Sequence, residues 1–509
     1  MEAAMQAAWG GAPGAAGGGG GRRPSPGPLA GGGGGARSGA EARVGPGGRG
    51  GAAAGGALRG ARWRADAGPG EGADAPGWRA ARGHVLVVTE AGRPIFSRRG
   101  DLGRLAGFSA TLAALCSYVA GGGGFGADGA KGGGDALESF CVGGLQMVVE
   151  RSGPLLLLGL GGGTVPEAAV RRQLRLVHAQ MLGVLTSLVE RTLARRAGFD
   201  PQGLLRGAEP VLRMACHLGE CDPAAPLEAF APLPLPLASR RALLGPRLAA
   251  GAPPELQWVL LFSETHILAT ARARGAAELH PDDILTTMNF LLETESLRDC
   301  ESLTPLCLPR FNPAAFAQAH VRFFGGGKGG RGGFCLALIA TTPDCFHDLS
   351  ELSRGVEQDV EAAVPDLLDG EGGTMGLTLD GLPSGAGGGE LGCSPMWHFL
   401  YKDAALEQYV SPSWRTPLDS PEVQVDVLQD YQHMVYSMRG GGGGSEGKHR
   451  VEHRAFEGYS MLAFVATEFE LYAVFDPLVE ISEAVGLCNG LCAWIQGRSE
   501  ELFLKTFKW

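Results

Sequence analysis

A handful of residue groups in this 509-residue chain have types and spacings that could do chemistry. Gly159–Thr164, directly after the apolar run Leu155–Leu158, has the outline of a dinucleotide-binding turn. That turn needs a third glycine where this chain has Thr164, and a parallel strand-helix-strand setting that the surrounding pattern lacks. Gly325–Gly333 carries Lys328 but not the Lys-Ser/Thr ending with which a phosphate loop holds a nucleotide and its magnesium. Cys216, His217 and Cys221 could donate to a metal, yet a structural zinc needs four ligands and no second Cys/His pair lies at a workable spacing. Cys488 and Cys492 share one helical face with Leu491 and read as core, and His398 sits between Trp397 and Phe399 as strand packing. No serine has a nucleophile-elbow context and no carboxylate pair faces an evident cleft. The expectation is a protein with no catalytic residues, no cofactor and no metal.

The elements around these residues fall into an order that can be read three times. His84–Glu90 and Pro94–Arg98 alternate as two strands about an Ala91-Gly92 turn. A helix with Leu102, Leu105, Phe108, Leu112, Leu115 and Val119 follows, then strands Leu137–Val142, Leu145–Arg151 and Leu155–Leu160. A long amphipathic helix from Val165 to Arg196 closes the unit, with Thr164 and Glu167 as a capping box and Val170, Leu174, Val177, Met181, Val184 and Leu188 as its apolar stripe. Asp200–Leu218 adds another helix. The order returns over Leu256–Val364, where Pro281 opens one helix and Thr342 with Pro343 another, and again from Met396, where Pro477 starts the last helix. The fold class is therefore α/β (α+β): three domains, each a five-stranded antiparallel sheet flanked by helices. The boundaries are a Gly/Ala/Arg-rich disordered tail at 1–82, a first domain at 83–222, a Pro-rich linker at 223–254, a second domain at 255–369, a Gly-rich linker at 370–393 and a third domain at 394–509.

Composition narrows the class further. The 44% apolar fraction suits globular domains, but 84 glycines do not. Many of them lie in residues 1–82, which cannot bury enough apolar surface to offset chain entropy. Others form runs in expected loops, where closure entropy grows slowly with length. Residues 1–82 carry ten Arg against five acidic residues, so the formal charge of −10 divides into about +5 there and −15 elsewhere. Such a basic tail suits an anionic membrane or nucleic acid, a transit peptide, or a solvated segment with no dedicated role. Eleven cysteines in so long a chain are not a disulfide framework, and Cys116, Cys141, Cys335 and Cys345 read as small core residues. No run approaches the roughly 18 consecutive apolar residues of a membrane span. The expectation is a soluble protein facing the cytosol, with sheet edges and one sheet side left open for partners.

Three segments carry a family resemblance. His84-Val-Leu-Val-Val-Thr-Glu-Ala-Gly-Arg-Pro-Ile-Phe-Ser-Arg98, followed by Gly100, resembles the opening of the first longin domain of the Mon family of vacuolar fusion proteins (the SAND family). Leu303-Thr-Pro-Leu-Cys-Leu-Pro-Arg-Phe-Asn312 is similar to that family's second-domain strand, and Trp397-His-Phe-Leu-Tyr-Lys402 to the start of its third domain. The likeness covers about residues 83–509 apart from loops; the Gly-rich insertions and the tail depart from it.

The resemblance implies three longin domains and a heterodimer with a Ccz-like longin protein. The pair would act as a guanine nucleotide exchange factor for a late-endosomal Rab GTPase, cytoplasmic and recruited peripherally to late endosome or vacuole. It also implies an early-endosomal Rab and anionic phosphoinositide membrane as further partners. Exchange needs no proton-transfer residue, because the factor works by favouring one state of the GTPase. Mapped by topology, the partner- and GTPase-facing platform falls on Ile95, Ser97, Arg98, Asp101, Leu105 and Phe108, of which Ile95, Leu105 and Phe108 equally suit a core. A non-catalytic longin adaptor or tether has the same fold; a true enzyme would instead require a pocket of convergent titratable groups.

Overall fold

The computed structural model describes residues 83–120, 136–162, 165–196, 199–325, 333–364, 377–388, 394–440 and 451–509. In the first domain, β1 (Gly83–Thr89), β2 (Pro94–Ser97), β3 (Ser139–Val142), β4 (Leu145–Ser152) and β5 (Leu155–Gly162) form an antiparallel sheet in the order β2-β1-β5-β4-β3. The β1–β2 turn needs Gly92 in the left-handed region, at φ 81°, where its amide donates to the Thr89 carbonyl. Strand residues His84–Thr89 are all buried, so both faces of the central strand β1 are covered where the sequence suggested one open side, while the edge strand β3 stays partly exposed. Val85, Val87, Val148 and Leu157 pack with Leu174, Val177 and Met181 of α2 (Glu167–Leu185). On the other face lies α1 (Leu102–Ala120), burying Leu105, Leu112 and Cys116 against β1 and β2.

The single closing helix expected over Val165–Arg196 is broken. Thr186 takes φ 59° and ends α2, and α3 (Leu188–Arg195) restarts after it. The break lets the Ser187 amide donate to Pro313 of the second domain at 2.7 Å. Of the expected capping box, Thr164 lies outside the described residues; Glu167 instead accepts from Ser139 and Arg171. Two more helices, α4 (Gln202–Leu205) and α5 (Glu209–Cys221), complete the domain, and Gln202 Nε2 covers the β2 edge by donating to the Pro94 carbonyl at 2.6 Å.

The second sheet comprises β6 (Leu256–Phe262), β7 (Ile267–Arg272), β8 (Ser302–Leu308), β9 (Asn312–Phe324) and β10 (Phe334–Ala340). The third comprises β11 (Met396–Asp403), β12 (Gln408–Val410), β13 (Val451–Ala455), β14 (Ser460–Val465) and β15 (Phe469–Phe475), in the order β12-β11-β15-β14-β13. The 223–254 segment, read from its prolines as a linker, is folded. It holds α6 (Ala224–Leu227) and α7 (Leu237–Gly251), which keeps Pro246 inside it and buries Leu243, Leu244 and Leu248 on the second sheet. With α7 on that face is α9 (Phe346–Ala363), whose N-cap is Cys345 rather than Thr342. Opposite them is α8 (Pro281–Glu293), where Pro281 does open the helix and His280 caps it by accepting from the Asp282 amide.

The three domains are not independent. Four helices, α2, α5, α8 and α10 (Pro421–Met438), lie together between the sheets, and one apolar core runs from Trp258, Ile284 and Leu291 of the second domain to Val425, Tyr431 and Tyr472 of the third. Beside this core Arg172 of the first domain, 7% exposed, is paired through both guanidinium ends with Asp282 of the second, 2% exposed. Arg310 reaches the same carboxylate at 3.0 Å. Asn289 Nδ2 donates to Gln180 Oε1 at 2.8 Å and to the Val211 carbonyl at 2.9 Å, tying α8 to α2 and α5. Gln432 of α10 donates to the Glu220 carbonyl at 3.0 Å.

Beyond α11 (Ile481–Gly497) and α12 (Ser499–Leu502), the chain crosses back to the second domain. There β16 (Phe507–Lys508) adds a sixth strand, parallel to β7, with Phe507 opposite Ala271. Arg240 of α7 holds this strap by donating to the carbonyls of Glu500, Glu501, Phe503 and Leu233 at 2.6–2.9 Å. Gln408 grips Leu504 at both its amide and its carbonyl. Arg240→Met strands those carbonyls, and we expect a loss of roughly 1–3 kcal/mol. Faster amide exchange confined to β7 and residues 503–509 is the measurement that checks it.

Part of the segment expected as a Gly-rich linker is also packed. Leu379, Leu382 and Ala386 join the core beneath α11, and Gly490 lets that helix approach the Gly385 carbonyl so closely that a Cβ would overlap it. Gly490→Ala is expected to cost about 1–3 kcal/mol through overpacking, despite the gain in helix propensity. A urea midpoint that rises instead would contradict this packing.

Candidate functional site

The chemistry-bearing residues end in structural roles. Cys216, His217 and Cys221 are buried on α5, and among the described residues no group of three or more His, Cys, Asp or Glu side chains is placed to hold a metal. His398 is buried, stacks on Trp414 with ring centroids 3.8 Å apart, and shares a hydrogen bond of 3.0 Å with the Tyr431 hydroxyl. Burial pushes its imidazole down to about 3, so it stays neutral at physiological pH. Cys488 and Cys492 are core residues, where burial pushes the Cys492 thiol up to about 11. Cys116, Cys335 and Cys345 are likewise buried, but Cys141, expected in the core, is exposed on the edge strand β3.

The six platform residues separate by depth. Ile95 is buried beside the irregular β1–β2 register, and Leu105 is fully buried on the inner face of α1, so neither can face a partner. Ser97 is buried and donates to the Arg99 carbonyl. Arg98 is 2% exposed because its guanidinium turns inward to Glu220 of α5, an ion pair that ties β2 to the interdomain helix layer. Asp101 is exposed but occupied as the N-cap of α1: its Oδ1 accepts from the Arg104 amide at 3.0 Å and its carbonyl from the Leu105 amide at 2.9 Å. Phe108 is half-buried. The structure brings β2 and the start of α1 together, but most of the named side chains support the surface from beneath.

The surface that remains is the outer face of α1. Ala106, Gly107, Ala110, Thr111, Ala114, Ser117 and Tyr118 are exposed, Tyr118 at 63%, and Arg104 is the single charged residue between Leu102 and Ala120. An exposed helix of a soluble domain normally shows a charged outer face. Among the described residues this is also the one helix long and apolar enough to cross a membrane, although its inner stripe is packed on the sheet. The signal was present in the sequence as nineteen residues with one charge. The six platform residues follow the strand and the helix start, and so do not reach this face.

Three antiparallel sheets with flanking helices, and a first domain with a low-polarity outer helix, define a three-longin-domain protein. Family models agree domain by domain: the first, second and third longin domains of FUZ, MON1 and HPS1 match residues 83–214, 254–357 and 395–499. The chain is 31% identical to the vacuolar fusion protein MON1 homolog of Arabidopsis thaliana over 467 residues, covering 84% of this chain and 70% of the relative. It is 28% identical to homolog B of Homo sapiens, over 83% of this chain and 76% of that protein. To the MON1 protein of Yarrowia lipolytica it is 27% identical, over 82% and 73%. The chain belongs to the family of the vacuolar fusion protein MON1, a family of longin proteins of membrane trafficking.

Proposed function

We propose that this chain is one subunit of a heterodimeric guanine nucleotide exchange factor. Its partner is a Ccz-like longin protein, its substrate a late-endosomal Rab GTPase, and its setting the cytoplasmic surface of late endosome and vacuole. The observation that carries this reading is the outer face of α1, with one charge in nineteen residues on the first longin domain. Such a face favours burial against another protein. Exchange is differential binding: the factor holds the nucleotide-free GTPase more tightly than the loaded one, so the equilibrium among GTPase states shifts without any bond being made or broken. Early-endosomal Rab and anionic phosphoinositide recruitment belong to the same reading.

Release of a fluorescent GDP analogue from the late-endosomal Rab, with this chain alone and with its co-expressed partner, tests the proposal. Acceleration only with the partner is the expected result. With the heterodimer intact and the Rab releasing nucleotide normally on magnesium chelation, a flat trace would replace it with the non-catalytic adaptor or tether.

A further inference from the structure

We propose that the start of α11 in the third domain is a docking surface for a cationic amphipathic helix of a partner protein. Leu478, in the turn entering the helix, is 89% exposed, and Ile481 and Val485 on the first turns are 54% and 37% exposed. Ile481 and Val485 lie i, i+4 on one face of the helix, with Leu478 three residues ahead of Ile481 in the entering turn, and these three side chains make up an exposed aliphatic stripe. The opposite side of the helix, through Ala484, Cys488 and Leu491, is sunk in the core, and Gly490 seats it against Gly385.

The turn that carries Leu478 is held by hydrogen bonds. Asp476 Oδ1 accepts from the Leu478 amide at 2.9 Å, the Asp476 carbonyl accepts from Val479 at 3.2 Å, and the Asp476 amide donates to Pro395 at 2.8 Å. A surface fixed before binding gives up little entropy when a partner covers it.

Charge selects the occupant. Glu480 and Glu483 are exposed beside the stripe. Glu457 is exposed on the β13–β14 hairpin, which reaches the same sheet end because Ser460 pairs with Phe475. Arg415, whose guanidinium reaches the Met396 carbonyl there, is committed to Asp380. Acidic residues around an aliphatic stripe repel an anionic bilayer and repel a second copy of the same face across a twofold axis. They attract a helix that alternates apolar anchors with Lys or Arg. This inference concerns the third domain and does not depend on the exchange reading.

The test uses the full chain, with its longin partner where that keeps it soluble, and two labelled helical peptides of identical pattern, one Lys/Leu and one Glu/Leu. Anisotropy should report saturable binding of the Lys/Leu peptide alone. Leu478→Ser with Ile481→Ser should weaken it about tenfold or more. Glu480→Gln with Glu483→Gln should weaken it less and flatten its salt dependence. Leu478→Ala, in the turn, serves if the double serine variant does not fold. Equal binding of the Glu/Leu peptide, or binding indifferent to Leu478, would overturn the proposal. So would a photo-crosslinker at Val485 that couples to residues 1–82 or to a second copy, or Leu478-dependent binding to anionic vesicles, since each names a different occupant.

Discussion

Asp282→Ala is expected to destabilise the chain by about 3–5 kcal/mol, among the largest single-residue losses available to it, because it leaves buried Arg172 with only the exposed Glu228 carboxylate, 3.9 Å from its Nε, as counter-charge. Arg172 is reached by Asp282 through both guanidinium ends and donates its Nε to the Ala225 carbonyl at 2.9 Å. Burial alone raises the Asp282 carboxyl. The hydrogen bonds and charge of Arg172, with Arg310 and His280, outweigh that and hold it below the ordinary aspartate range. A carboxylate held down in the folded state contributes stability that is complete above the unfolded value of about 3.9 and is lost as pH falls through the folded value. The gap between native and Asp282→Ala stability should therefore be constant near neutrality and close below about pH 4. Urea unfolding at several pH values reads both effects. Joint replacement by Arg172→Met and Asp282→Leu should recover most of the loss, since removing both charges also removes the desolvation cost. A single variant as stable as the native chain would show that the pair is not the electrostatic centre of the interdomain layer.

The contacts that join the domains were the part hidden from sequence. Strands announced themselves through local alternation and helices through stripes such as Leu174, Val177 and Met181, because each depends on neighbours in sequence. The break at Thr186 interrupts no stripe in the sequence, since Leu188 continues it; it coincides with the bond from Ser187 to Pro313, more than a hundred residues away. Prolines at 223–254 mimic a linker, yet Pro246 is tolerated within α7 and the segment packs into two cores. The sixth strand of the second sheet comes from the third domain, which no pattern within either could indicate. Arg98 is instructive for the same reason. On a strand beside a turn it reads as an exposed cation, but Glu220 on α5 draws it inward. Charge reversal at Arg98 would accordingly report on folding before it reported on any partner.

The surface is better tested where the fold has no stake, and there the expected effect on function is largest. Ala114 and Tyr118 lie i, i+4 on the outer face of α1, both exposed, while Leu112, Ala113 and Cys116 hold the helix to the sheet. Ala114→Glu with Tyr118→Glu adds two like charges one turn apart, which costs the helix itself only a few tenths of a kcal/mol. Carried into a dry interface, the same carboxylates must be desolvated without partners, and the loss of association should reach about 2–4 kcal/mol, or roughly thirty- to a thousand-fold. Co-purification of the partner longin subunit and Rab nucleotide release should fall together, with the thermal midpoint of the variant close to native. If partner capture persists while exchange is lost, α1 faces the GTPase rather than the second subunit. If both persist, the helix is an uncovered face of the first domain, and the exchange reading loses the observation that carries it.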